Sequence, residues 1–140
     1  MNPELTADDL ELLNRPLHAM LTVRPHPSRW PAPRPVWFEV ADGGRLQMFS
    51  VVGTPRLARL REDPRASVVV AAPVGEPEHW VSIEGRIDHH EEGARELMLR
   101  LIDRYYGADL EANRAAIRAL HRSEVVRLVL HPERVQRYRI

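Results

Sequence analysis

The chain has no cysteine and no lysine among its 140 residues. Without cysteine there is no disulfide, no thiolate metal ligand and no thiol nucleophile, which excludes a fold dependent on an oxidising compartment. All twenty basic residues are arginine, a bias that a GC-rich genome explains as readily as function does. No run of about 18 apolar residues occurs, and Glu4, Asp8, Asp9 and Glu11 stand where a targeting signal would be basic. Neither export nor a membrane span is expected, and the location expected is cytoplasmic.

Catalytic signatures are also scarce. The seven histidines form no HExxH and no pair at helical ligand spacing, and the adjacent His89 and His90 on a strand would point to opposite faces. No metal site is expected. There is no GxSxG elbow, no GxGxxG and no Walker loop, so hydrolase and nucleoside-triphosphatase chemistry have no support.

The formal charge is +0, which argues against duplex nucleic acid or an anionic membrane as a bulk partner. The distribution is uneven. Residues 24–61 hold seven arginines against Glu39 and Asp42, a net of +5, while the flanking stretches are net −3 and −2.

The length suits one domain, 1–140, with one continuous core. Thr6 and Asp9 form a capping box ahead of Leu10, Leu12 and Leu13, which predicts a short helix capping the fold. A strand is predicted over Leu17–Val23. Prolines at 25, 27, 31, 33 and 35 then forbid a regular central strand, so an irregular loop leads to a second strand over Val36–Val40. Asp42-Gly43-Gly44 turns it into a hairpin with Arg45–Ser50.

Thr54-Pro55-Arg56 has the chemistry of a helix start, Thr as N-cap and Pro in the first helical position. The helix of about two turns buries Leu57 and Leu60 and ends at Asp63-Pro64. A strand over Ala66–Ala71 follows. Trp80–Ile87 alternates, with Trp80, Ser82, Glu84 and Arg86 on one face and Val81, Ile83, Gly85 and Ile87 on the other. From Glu91 the period becomes helical, through Ala94, Leu97, Met98, Leu101, Ile102 and Tyr105 to a stop at Gly107. A weaker helix is expected over Asp109–His121, then a strand over Val125–Leu130 and a further one over 133–140. Five to seven strands joined mainly by hairpins favour an antiparallel barrel, mainly β with inserted helices.

The start of the short helix is the best candidate for chemistry. Its unpaired N–H groups and partial positive charge favour an anion. The Thr54 hydroxyl and the Arg56 guanidinium would add charge-assisted bonds of roughly 1.5–3 kcal/mol each, and Ser50 could donate from the opposite side. An ordinary capped helix carrying an exposed arginine would have the same local sequence.

Several segments together resemble a known family. Arg34-Pro35-Val36-Trp37-Phe38, Phe49-Ser50, Thr54-Pro55-Arg56 with Leu60 and Asp63-Pro64-Arg65, and Trp80-Val81-Ser82-Ile83-Glu84-Gly85-Arg86 follow one another in register. They are similar to the pyridoxamine 5'-phosphate oxidase-like superfamily, in particular its actinobacterial branch that uses FMN or the deazaflavin coenzyme F-420. The stretch Val129–Val135 also resembles the family's last strand.

The resemblance implies a split β-barrel, a homodimer with cofactor sites between subunits, and hydride transfer with a small-molecule substrate. It implies cofactor contacts from Arg34, from Val36 and Trp37 beside the ring, from Ser50, Thr54 and Arg56 at the phosphate, and from Trp80 near the ring. Arg56 stands where the family usually has Lys, a change that keeps the charge and adds a planar fork. The alternative implied by the same fold is a cofactor-binding or carrier module, for flavin, haem or no cofactor, without turnover. No catalytic residue is identified; His79, Glu84 and Tyr106 are possible proton donors. The arginine and histidine pattern that holds the vitamin B6 substrate is missing from Val135–Ile140, so vitamin B6 oxidation is not expected.

Overall fold

The computed structural model describes residues 4–140. Helix α1 (Ala7–Leu13) starts with the reciprocal cap that its sequence predicts. The Thr6 hydroxyl accepts the Asp9 N–H at 3.1 Å and the Asp9 carboxylate accepts the Thr6 N–H at 2.8 Å. Asp9 is buried and also holds Arg137 at 3.0 Å. Burial alone would raise its pKa, but the bonds from Arg137 and Thr6 outweigh that and hold it below the ordinary carboxylate value.

Seven strands build one sheet: β1 (Ala19–Val23), β2 (Arg34–Val36), β3 (Glu39–Val40), β4 (Leu46–Val51), β5 (Arg65–Ala71), β6 (His79–His90) and β7 (Val125–Arg139). Their order is β2-β1-β5-β6-β7-β4-β3, with every neighbouring pair antiparallel. The alternation read over Trp80–Ile87 is the observed one, with Val81, Ile83, Gly85 and Ile87 buried and Glu84 and Arg86 exposed.

The strand expected over Val36–Val40 is interrupted at Trp37 and Phe38. Val36 pairs with Ala19 of β1, whereas Glu39 pairs with Gln47 of β4, so the backbone changes partner between them. The exchange is held by a phenol. Tyr105 Oη accepts the Phe38 N–H at 3.1 Å and donates to the Leu17 carbonyl at 2.7 Å. Because β2 and β3 occupy opposite edges of the sheet yet lie two residues apart, the sheet has to curl until its edges meet. The result is a split barrel. Its interior holds Leu21, Phe38, Met48, Val68 and Ile83, together with Leu12 and Leu13 from α1.

The two strands expected after residue 125 are instead one strand of 15 residues, β7. Pro132 has no N–H to give a ladder, and the pairing with β6 shifts there: Glu84 faces Arg134 while Gly85 faces Pro132. The extra residue, Glu133, is a bulge that lets the strand pass its proline. A Cβ on Gly85 would lie 2.0 Å from the His131 carbonyl oxygen, so only glycine fits opposite.

Helix α2 (Pro55–Glu62) follows β4 and buries Leu57 and Leu60. Helix α3 (Ala94–Tyr106) buries the predicted stripe from Ala94 to Ile102. Its Arg104 guanidinium donates to the carbonyls of Leu13, Asn14 and Arg15 at 3.0, 3.2 and 2.6 Å, satisfying acceptors that the end of α1 leaves open. The same guanidinium lies 5.7 Å from the ring centres of Phe38 and Tyr105. Helix α4 (Arg114–His121) is shorter than the helix expected from Asp109. Asn113 Nδ2 donates to the Asp109 carbonyl at 2.8 Å and so favours a turn there over helix, and Leu110 remains exposed.

Candidate functional site

Strand β4 ends in a tight turn at Gly53, where φ is +88°, and the chain re-enters the fold as α2. Thr54 is the N-cap and Pro55 opens the helix, but the Thr54 hydroxyl makes no capping bond. It lies 3.1 Å from the hydroxyl of Ser50, a buried residue of β4, so the two oxygens form a pair beside the open end of the helix. The first turn of α2 carries no acid.

Arg56 is the next polar group. It is half-buried, and among the described residues it has no hydrogen bond and no ion pair. Burial, and then the neighbouring charge of Arg34, push its pKa below the ordinary guanidinium value. A partly desolvated cation facing another cation is unfavourable unless an anion joins them. By contrast, Arg59 one turn on is paired with Glu62 at 3.1 Å.

These groups line one end of a cleft of about 510 Å³, within the range of small-molecule sites. The rest of the lining is mostly apolar. It comprises Pro35, Val36, Trp37, Phe49 and Val51, Tyr106 from α3, Ala116, Ala119 and Leu120 of α4, and Ser123. Trp37 is fixed by its neighbours: it stacks on Tyr105 with ring centres 5.0 Å apart and planes 8° apart, and meets Tyr106 edge-on at 4.7 Å and 90°. Such a cleft can take an anionic group at the α2 end and a flat apolar body against the indole wall.

Of the residues singled out in the sequence, Val36, Trp37, Ser50, Thr54 and Arg56 come together in this cleft. Arg34 is exposed and outside the lining, and acts on Arg56 through its charge. Trp80 lies elsewhere. The alternation of β6 turns it outward, where it stacks on Tyr138 of β7 with ring centres 6.1 Å apart. Among the three possible proton donors only Tyr106 borders the cleft. His79 lies in a separate hollow with Asp8, Asp9 and Arg137, and Glu84 is paired with Arg134. The α4 wall was not legible as part of a site; its alanines carry no chemical signal, and only the packing brings them there. Among the described residues no three His, Cys, Asp or Glu side chains gather to hold a metal ion, and no helix is long and apolar enough to cross a membrane.

Comparison with known proteins agrees with this fold. A conserved hypothetical protein from Mycobacterium tuberculosis superposes with a TM-score of 0.76 at 19% identity, over 97% of this chain and 85% of that one. An F420 reductase gives 0.69 at 23% identity, over 90% and 94%. A FAD-binding protein from Mesorhizobium loti gives 0.61 at 20% identity, over 95% and 94%. No curated protein matches by sequence. The sequence profile of pyridoxamine 5'-phosphate oxidase matches residues 6–138, nearly the whole chain. This protein therefore belongs to the pyridoxamine 5'-phosphate oxidase family.

Proposed function

We propose that the protein binds a phosphorylated flavin-type cofactor in this cleft, FMN or the deazaflavin coenzyme F-420, and acts in the cytoplasm as an oxidoreductase on a small organic substrate. The observation that carries this reading is Arg56: a half-buried guanidinium with no partner among the described residues, beside the Ser50 and Thr54 hydroxyls and an acid-free helix start. A phosphate monoester supplies the charge and the acceptor oxygens that this group lacks. Trp37 and its aromatic supports offer a rigid apolar wall for a planar ring. The cofactor, once bound, supplies the hydride chemistry. The chain's own part is to hold the phosphate, orient the ring against the substrate and keep water from it.

The cleft is also compatible with a carrier that performs no turnover, which is favoured by its lining: among the described residues Arg56 and Tyr106 are the only titratable side chains there. Hydride transfer needs no acid on the protein, so the oxidoreductase reading keeps precedence. We further propose a homodimer with cofactor sites near the subunit contact. In its support, Met20 and Val69 share one rung of the outer sheet face and Trp80 and Tyr138 the next, all carrying exposed or partly exposed apolar surface. A sedimentation measurement should give a dimer, and Trp80→Arg with Tyr138→Glu a monomer.

The cofactor test is titration of the purified protein with FMN, with coenzyme F-420 and with riboflavin, which lacks the phosphate. FMN or the deazaflavin should bind and riboflavin should be at least about 100-fold weaker, as expected for two or more lost charge-assisted bonds. Arg56→Glu should abolish binding while circular dichroism and Tm stay unchanged. Equal affinity of that variant for FMN would refute the phosphate assignment. Colour and binding without reduction across a broad substrate panel would favour the carrier.

A further inference from the structure

The cleft is electrically one-sided. Among the described residues Arg56 is its only cation, no carboxylate lines it, and everything beyond the Ser50–Thr54 pair is apolar apart from two hydroxyls, Tyr106 and Ser123. A charged substrate entering that far end would lose hydration with nothing to replace it. A neutral one would not.

Tyr106 is well placed to choose among neutral molecules. Its ring is held edge-on against Trp37 at 4.7 Å, and Trp37 is in turn stacked on Tyr105, so the phenol has a fixed orientation. Among the described residues its hydroxyl has no hydrogen-bond partner, unlike that of Tyr105 one residue earlier, which is bonded to the Phe38 and Leu17 backbone. Helix α4, which has no buried residue, lines the same cleft with Ala116, Ala119 and Leu120. Two of these three side chains are alanine and leave room for a ring beside them.

We propose that Tyr106 is the specificity-determining residue for the substrate, and that the end of the cleft away from Arg56 takes a neutral, planar, apolar molecule with one acceptor oxygen, such as an aromatic or conjugated ketone. The phenol donates to that oxygen and α4 forms part of the wall. This deepens the proposed function and rests on it for the orientation of the site, with the anionic end of the cofactor at Arg56.

The test is binding by calorimetry to the full chain, with and without FMN, using three probes: 1-tetralone, naphthalene as its counterpart without the acceptor, and 1-naphthoate as a charged counterpart. Wild type should bind 1-tetralone about tenfold more tightly than naphthalene, the ratio expected for one net hydrogen bond, and, with FMN already bound at Arg56, 1-naphthoate more weakly than either. Tyr106→Phe should erase the preference for the ketone while FMN affinity is kept. Ala119→Trp, which fills the cleft, should remove ketone binding. The proposal is overturned if Tyr106→Phe binds 1-tetralone as wild type does, or if it loses FMN instead, which would assign the phenol to the cofactor. Ketone binding that depends on Tyr106 in a wild-type protein indifferent to FMN would sustain the subsite and overturn the cofactor reading.

Discussion

Arg104 and Arg56 are both partly buried arginines on the first or last turn of a helix, yet they live in opposite circumstances. Arg104 spends its terminal nitrogens on three successive carbonyls at the end of α1 and lies over two aromatic rings. Arg56 has another arginine as its charged neighbour and no acceptor among the described residues. The first is part of what holds the barrel closed. The second adds nothing to the folded chain that an apolar side chain would not, and its desolvation opposes folding. The proposed phosphate would supply the partner that the chain itself does not.

The contrast can be broken by mutation. The largest stability loss should come from Arg104→Ala, which strands the carbonyls of Leu13 and Asn14 and removes a second donor from that of Arg15; about 3 kcal/mol is expected, read as a fall in Tm of roughly 10 °C. Next comes Tyr105→Phe, which leaves the Phe38 N–H and the Leu17 carbonyl without their shared partner, at about 1.5 kcal/mol. Amide exchange at Phe38 should accelerate with it.

A smaller effect is expected from acid. Asp9 has a folded pKa held below its unfolded value, so the stability it contributes is complete above about pH 4. That contribution is lost as pH falls through the folded pKa. Asp9→Asn should flatten this part of the acid-unfolding curve; an unchanged curve would mean that the Arg137 pair does not hold α1. The smallest effect belongs to Arg56→Leu, whose unfolding free energy should stay within about 0.5 kcal/mol of wild type or rise, even as FMN affinity drops at least about tenfold. A loss comparable to that of Arg104→Ala would erase the distinction between the two arginines.

Features governed by nearby residues were legible in the sequence. The Thr6–Asp9 cap, the alternation of β6 and the apolar stripe of α3 each depend on neighbours a few positions away, and they form as read. The grouping of Ser50, Thr54 and Arg56 was legible for the same reason, because a strand end, a turn and a helix start bring them together. What escaped was decided at long range. Trp37 and Phe38 leave the strand pattern because of a hydroxyl 67 positions from Phe38, and β7 runs through Pro132 because Gly85 on another strand makes room. Thr54 has the sequence of a capping residue, but buried Ser50 competes for its hydroxyl. The outward direction of Trp80 followed from period 2; that this removes it from the cleft did not.

The cleft exists only because the two ends of the sheet meet. Trp37 is one of the two residues that carry the chain from one edge to the other, and the same indole is the wall against which a ring would rest. A folding chain that has zipped β1 onto β5 and β6 but has not yet joined β3 to β4 has most of its secondary structure and no pocket. Affinity should therefore arise in a single step at the end of folding, and a bound ligand should act as a latch, slowing the first opening of the cylinder more than any later event.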